Sequence, residues 1–139
     1  MINFIYKVDL DWLPSLEVKV VEIYNHILSD SSFSDLSITV VYGDDDWLLD
    51  INKRFLNHDY YTDIITFDYS EAPVLSGELC VSINTVLSNA SLYNVSRETE
   101  LMRVLIHGVL HLCGFNDKTE EESSIMREKE DYYLAKLSI

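Results

Sequence analysis

The sequence predicts an α+β fold in which a single mixed β-sheet of about four strands has helices packed on it. Three observations support this prediction. The length of 139 residues suits one domain, and no Pro/Gly/Ser-rich linker divides residues 1–139. Hydrophobic residues make up 47% of the chain, which is enough to bury a core. Predicted strands alternate with helices up to residue 83, and helical spacing continues from there.

Four segments have strand patterns. Alternating apolar and polar side chains predict the first strand at residues 3–8, and a β-branched run predicts the second at 36–42. A third strand is predicted at 63–69. The fourth is predicted at 78–83, directly after Gly77.

Helical spacing of apolar residues accounts for most of the remaining chain. Asp45, Ser96 and Thr119 are predicted N-caps, and Thr119 forms a capping box with Glu122. The predicted helices are residues 16–28, 45–55, 84–92, 96–112 and 119–137. Together with the strands they give the order β-α-β-α-β-β-α-α-α.

The charge is strongly acidic. With 24 Asp and Glu against 10 Lys and Arg, the formal net charge is −14, which disfavours casual contact with nucleic acid. Much of the acidity falls on the last predicted helix, which we interpret as a solvated outer face. Its glutamates are Glu120, Glu121, Glu122, Glu128 and Glu130. Any affinity for RNA is therefore expected to be weak and sensitive to salt.

Compartment and membrane contact follow from the cysteines and the apolar runs. The 2 cysteines, Cys80 and Cys113, are too few for a disulfide scaffold and suggest a reducing compartment. The first twelve residues lack the pattern of a signal peptide. The most apolar stretch, 101–115, is interrupted by ionisable residues and is too short to span a bilayer. We expect a cytoplasmic protein without a membrane partner.

Residues 107–117 contain the pattern that predicts chemistry. His107 and His111 are four residues apart, so a helix presents both rings on one face. Gly114 follows the helix, where a left-handed conformation lets the chain reverse and return Asp117 to the same point. Two imidazoles and a carboxylate suit zinc, and three protein ligands leave a coordination position open, as in catalytic sites.

The same spacing occurs in metzincin proteases, whose motif has a glutamate beside the first histidine. That glutamate is the general base for peptide hydrolysis. In this chain the position is Gly108, which cannot accept a proton. The sequence therefore disfavours a protease that uses this mechanism.

Two blocks together resemble the YbeY family of bacterial zinc-dependent endoribonucleases, which mature ribosomal RNA. Residues 107–117 are similar to its His-Gly-x-Leu-His-Leu-x-Gly-Tyr-Asp-His signature. Residues 52–67 are similar to its Leu-Asn-x-x-Tyr-Arg-x-x-Asp-x-Pro-Thr-Asp-Val-Leu-Ser-Phe block, and residues 77–79 to its Gly-Asp-Ile strand. The resemblance covers residues 49–117, roughly half of the chain.

The resemblance implies a single-strand-specific endoribonuclease with one Zn²⁺ per chain, held by His107, His111 and Asp117. It implies ribosomal RNA and the small ribosomal subunit as partners, with roles in 3′-end maturation of small-subunit rRNA and in ribosome quality control. RNA carries its own 2′-hydroxyl nucleophile. Whether that group or water attacks stays open.

Four positions depart from the family pattern. Asp117 replaces the third histidine, and its carboxylate remains an acceptable zinc ligand. Asn116 replaces an acid, and Tyr61 replaces a proline. Leu56 replaces an arginine whose expected role is to steer a phosphate and stabilise charge in the transition state.

Several residues are candidates for an RNA groove between the histidine helix and the third strand, or for support of the metal ligands. They are Lys53, Arg54, His58, Thr62, Asp63, Thr66, Glu100 and Arg103. The first three are candidate substitutes for the missing arginine, although Lys53 and Arg54 are equally well explained as exposed helix charges. Asp63 has a structural alternative as a cap or turn acceptor, which is the commoner role of a Thr-Asp pair.

Two other functions stay open at this stage. One is a non-catalytic ribosome-assembly factor that keeps zinc for structure, which Leu56 favours. The other is a metal-dependent hydrolase of another class, such as a protease or an esterase.

Overall fold

The computed structural model describes all residues, 1–139, and contains one four-stranded mixed sheet. Its strands are β1 (Ile2–Tyr6), β2 (Asp35–Gly43), β3 (Ile64–Asp68) and β4 (Val74–Ser82). The strand order is β1-β2-β4-β3, in which β1, β2 and β4 are parallel and β3 runs antiparallel to β4. The predicted α+β fold is confirmed. Strand β3 forms the edge of the sheet that borders the candidate site.

Five α-helices occupy the predicted segments. They are α1 (Glu17–Ser29), α2 (Asp45–Leu56), α3 (Ile83–Tyr93), α4 (Arg97–Leu112) and α5 (Glu120–Leu134), with a short 3₁₀ helix at Pro14–Leu16. The Ser96 cap of α4 and the Thr119–Glu122 capping box of α5 both form. None of the helices has the length and apolar character needed to cross a membrane.

The N-cap predicted for α2 is wrong by one residue. Asp44 has the extended backbone of a cap and accepts a hydrogen bond from the Trp47 amide. Asp45 is already helical, and its carboxylate instead accepts hydrogen bonds from the hydroxyls of Ser82 and Thr85. Either of the two adjacent aspartates could cap α2. Asp44 is the cap because the Asp45 carboxylate is bonded to Thr85 of α3.

Helix α4 packs on one face of the sheet and is the most buried helix of the fold. Leu101, Leu105 and Val109 are fully buried in the main core. Gly108 explains how closely the helix approaches the sheet, because a Cβ there would lie 2.8 Å from Ile64 Cδ1 and 3.1 Å from a Leu79 methyl. A long side chain at this position would push α4 away from the strands.

The prediction that β4 begins after Gly77 is wrong, because Gly77 lies inside the strand. A Cβ at this residue would lie 2.6 Å from the Phe67 carbonyl oxygen and 2.8 Å from the Leu112 methyls. Glycine therefore permits β3 and the C-terminal end of α4 to pack closely at one point. This packing places the end of the histidine helix beside the sheet edge.

Candidate metal centre

His107 and His111 lie one turn apart on α4 and project from the same face. Their ring centroids are 4.6 Å apart, with an angle of 78° between the ring planes. Both residues are half-buried, because the rings leave the core at the end of the helix. The helix itself is anchored by the buried residues that precede them, so the two rings have a rigid base.

The turn after α4 returns the chain to these rings. Gly114 has φ +104°, a conformation that L side chains rarely adopt, and the Phe115 amide donates to the Leu110 carbonyl at 3.1 Å. Asp117 then approaches both histidines. Its carboxylate oxygens lie 3.2 Å from His107 Nε2 and 3.6 Å from His111 Nε2.

These three side chains form a donor set that fits a metal ion. One ligand atom from each lies within 4.8 Å of the others. Two imidazole nitrogens and a carboxylate oxygen are the ligand types that zinc prefers, and their number matches catalytic rather than structural sites. Both Nε2 atoms face the carboxylate, which is the arrangement that shared coordination requires.

Glu130, on α5, supports the set from behind. Its Oε2 lies 2.7 Å from His107 Nδ1, and its side chain is only 6% exposed. Arg103 donates to the other Glu130 oxygen at 3.0 Å and to Asp131 at 2.8 Å. The interpretation of α5 as a purely solvated acidic face is therefore wrong at Glu130. Met126, Glu130 and Tyr133 are the buried residues of that helix.

The ionisation of these groups follows from their contacts. Burial alone lowers the pKa of His107, but the hydrogen bond and charge of Glu130 outweigh it, and the net pKa is raised. Burial and then the neighbouring His107 lower the pKa of His111. For Glu130, burial raises the pKa, but bonds to His107 and Arg103 reverse the sign and lower it. Glu130 is therefore a carboxylate that accepts the Nδ1–H of His107 and leaves Nε2 for a metal.

An open groove of about 640 Å³ leads to the ligand set between α4 and β3. Of the candidate residues, His58, Thr62, Asp63 and Thr66 lie on its wall together with all three proposed ligands. Leu56, for which the sequence resemblance implies an arginine, also lines it. Burial raises the pKa of Asp63, an effect that the nearby His107 partly offsets. Polar residues therefore surround the open side of the site.

The other candidate cations lie outside this groove. Lys53 pairs with Asp59 at 3.4 Å, and Arg54 pairs with Asp50 at 3.5 Å. Arg103 is held by its two carboxylates, and together with Glu100 it lines a separate cavity. The basic groove expected near Lys53, Arg54 and Arg103 does not form. Lys118, directly after Asp117, is the lysine that the groove contains.

Asn52 ties the groove loop to α2 and was missed by the sequence reasoning. It is 1% exposed, and its amide donates to the Tyr60 carbonyl at 2.9 Å. The backbone carbonyl of Asn52 accepts a hydrogen bond from the His58 backbone amide at 3.1 Å, just beyond Asn57, whose left-handed conformation ends the helix. Asn52 could have been recognised from the sequence, because it is a polar residue at a position of α2 where the helical spacing predicts a buried apolar one. The same signal on α5 pointed to Glu130.

Comparisons with known proteins place the chain in a family. Residues 9–138 match the model of the family described as Endoribonuclease YbeY. A relative named Endoribonuclease YbeY from Azobacteroides pseudotrichonymphae is 44% identical over 89% of this chain and 90% of its own. Another of that name from Flavobacterium psychrophilum is 40% identical over 96% and 94%. The solution structure of TM1509 from Thermotoga maritima is 28% identical with TM-score 0.69, covering 96% of this chain and 87% of that one.

Proposed function

Since the chain belongs to the Endoribonuclease YbeY family, we propose that it is a zinc-dependent enzyme that cleaves single-stranded RNA during ribosomal RNA processing. The observation that carries the proposal is the convergence of His107, His111 and Asp117 at the wall of an open groove. We propose that the enzyme acts in the cytoplasm and that its substrate is small-subunit rRNA. An unpaired strand suits the groove because its bases and backbone are both accessible to side chains.

Each part of the site has a proposed role. His107, His111 and Asp117 would hold one zinc ion, which supplies Lewis acidity that activates water near neutral pH and polarises a phosphoryl oxygen. Glu130 fixes the tautomer and the orientation of His107. Thr62 and Thr66 lie on the groove wall, and their proposed role is to donate hydroxyl hydrogen bonds to phosphate or ribose oxygens.

Peptide hydrolysis is a poor fit to the same geometry. The general base of metzincins would have to project from position 108, where a Cβ already meets Ile64 Cδ1 at 2.8 Å. A glutamate there would require the Ile64 and Leu79 side chains between α4 and the sheet to shift, and this chain has no carboxylate at the position. A non-catalytic ribosome-assembly factor is the second candidate, because Leu56 and the paired cations leave the groove with few free positive charges.

Metal removal tests the proposal directly. The purified protein is incubated with single-stranded RNA that carries a small-subunit rRNA 3′ end, and in parallel with casein, with and without chelator. We expect RNA cleavage that stops on chelation and returns with zinc, and no cleavage of casein. An assembly factor would leave RNA intact under all conditions. Cleavage that continues after verified metal removal would contradict the metal-dependent reading.

Restoring the family's arginine is expected to strengthen RNA binding. Leu56 is 42% exposed on the groove wall, so Leu56→Arg adds one cation without opening the core. One further phosphate contact on a single strand should steepen the slope of log affinity against log salt by about 0.7. Fluorescence anisotropy at several salt concentrations measures this slope.

The matched control is Leu92→Arg, which adds the same charge at a 74% exposed residue of α3, outside the groove. A similar change in slope for both variants would show that net charge, rather than the groove position, controls binding.

A further inference from the structure

A second cavity adjoins the metal centre and has no role in the proposal above. It has a volume of about 600 Å³ and shares Asp63, Ile64, His107 and Asp117 with the groove. From there it extends between the end of α3, the middle of α4 and the start of α5. A volume of this size accommodates one nucleoside-sized ligand next to the ligand set.

Glu100 is the unusual residue of this cavity. It is only 4% exposed, yet no hydrogen bond or salt bridge engages its carboxylate, and Arg103, Asp63 and Glu130 act on it only at longer range. No side-chain oxygen that is sealed from solvent lacks a partner in the chain. The Glu100 oxygens are therefore reached from the cavity that the residue lines. The Glu100 carboxylate therefore faces the cavity without a protein donor, and a ligand in the cavity that brings N–H donors could take up its oxygens.

The polar wall around Glu100 selects among ligands. Asp63, Glu130 and Asp117 add further carboxylates to the polar part of the wall, although Glu130 already accepts from His107 and Arg103 and Asp117 is a proposed metal ligand. Arg127, whose side chain is 66% exposed, adds donors at the same cavity. A ligand edge that combines adjacent N–H donors with a neighbouring acceptor complements this arrangement.

We propose that this cavity binds a guanine base of the substrate RNA, with Glu100 accepting its N1–H and N2–H groups. The proposal rests on the proposed function, because it makes the cavity a base-specificity subsite beside the metal centre. Guanine is the base whose Watson–Crick edge presents two adjacent donors beside an acceptor, O6, which an arginine can bind. Adenine and cytosine each offer one exocyclic amine there, and uracil places its single donor between two acceptors.

The apolar part of the cavity fits the face of a base. Tyr93, 58% exposed, Val95, 41% exposed, and the buried Met126 all line it. An exposed tyrosine ring provides a stacking surface that any base can use. Stacking would supply affinity, and Glu100 would supply the choice of base.

Binding of the four nucleoside 5′-monophosphates tests the subsite without requiring cleavage. Isothermal titration uses the full chain after chelator treatment, so the shared phosphate contributes equally and a metal contributes nothing. We expect guanosine monophosphate to bind about 5- to 100-fold more tightly than the other three. Inosine monophosphate, which lacks the N2 amine, should fall between. Equal affinity for all four nucleotides would overturn the subsite, whether or not the protein cleaves RNA.

Glu100→Gln assigns the preference to the residue. The substitution keeps the size of the side chain but replaces one acceptor by a donor, and it should abolish the preference for guanine. Glu98→Gln, on the first turn of the same helix and outside the cavity, should retain it. A guanine preference that survives Glu100→Gln would overturn the assignment. The assignment would also be overturned if the parent protein showed no base preference and instead bound Mg²⁺ in a way that Glu100→Gln removes. If Glu100→Gln does not fold, equal affinity of the parent protein for guanosine and inosine monophosphates would still overturn the proposal, because it would show that no acceptor in the cavity recognises the N2 amine.

Discussion

Replacing His111 with alanine is expected to remove both the bound metal and RNA cleavage. The ring is one of the three proposed ligands, and its Nε2 lies 3.6 Å from the carboxylate of Asp117, the third of them. Loss of groups that merely orient a ligand costs about 10- to 100-fold in metal affinity, so loss of a ligand should cost more than about 100-fold. Elemental analysis of the purified variant and a gel assay with single-stranded RNA measure the two effects.

The control for this variant is His26→Ala. His26 is exposed in the last turn of α1 and contacts none of the proposed ligands, so metal content and cleavage should match the parent protein. The fold should survive in both variants, because His111 is only half-buried. Unchanged metal content in the folded His111→Ala variant would refute the ligand assignment.

The sequence predicted the convergence of His107, His111 and Asp117 because every element of it is local. Helical periodicity places His107 above His111, and the turn at Gly114 returns Asp117, which follows His111 by six residues. The same locality explains why all nine strands and helices were found in order. The periodic pattern of each segment is written within that segment, so no distant contact was needed to recognise it.

Features that depend on the packing of distant segments could not be read in the same way. Glu130 is 23 residues from His107, and its role depends on how α5 docks against α4. The ion pairs of Lys53 and Arg54 depend on side-chain directions at the exposed surface of α2. Gly77 resembles a strand boundary until the approach of Leu112 and Phe67 shows why a side chain is excluded. The local sequence pattern therefore predicts the helices and strands, whereas the hydrogen-bond partners of polar side chains depend on tertiary contacts.

Glu130 is a positioning residue in this view, and its replacement is expected to weaken zinc binding without touching a ligand. Glu130→Gln keeps an acceptor for the His107 Nδ1–H but removes the charge, and Glu130→Ala removes both. We expect zinc affinity to fall by about 10-fold for glutamine and toward about 100-fold for alanine. Competition with a chromogenic chelator measures the affinity, and circular dichroism verifies the fold.

A merely structural role for Glu130 makes a different prediction. The residue also accepts from Arg103, and breaking a buried charged pair can cost about 3–5 kcal/mol of stability. Arg103 retains Asp131 at 2.8 Å, so part of that cost should be avoided. If Glu130 acted only through the fold, both variants would unfold at lower denaturant yet bind zinc as tightly as the parent. If the carboxylate orients the His107 ring, the two folded Glu130 variants should instead lose zinc affinity in a graded way. Glu128→Gln, at an exposed neighbouring residue, should not lose it.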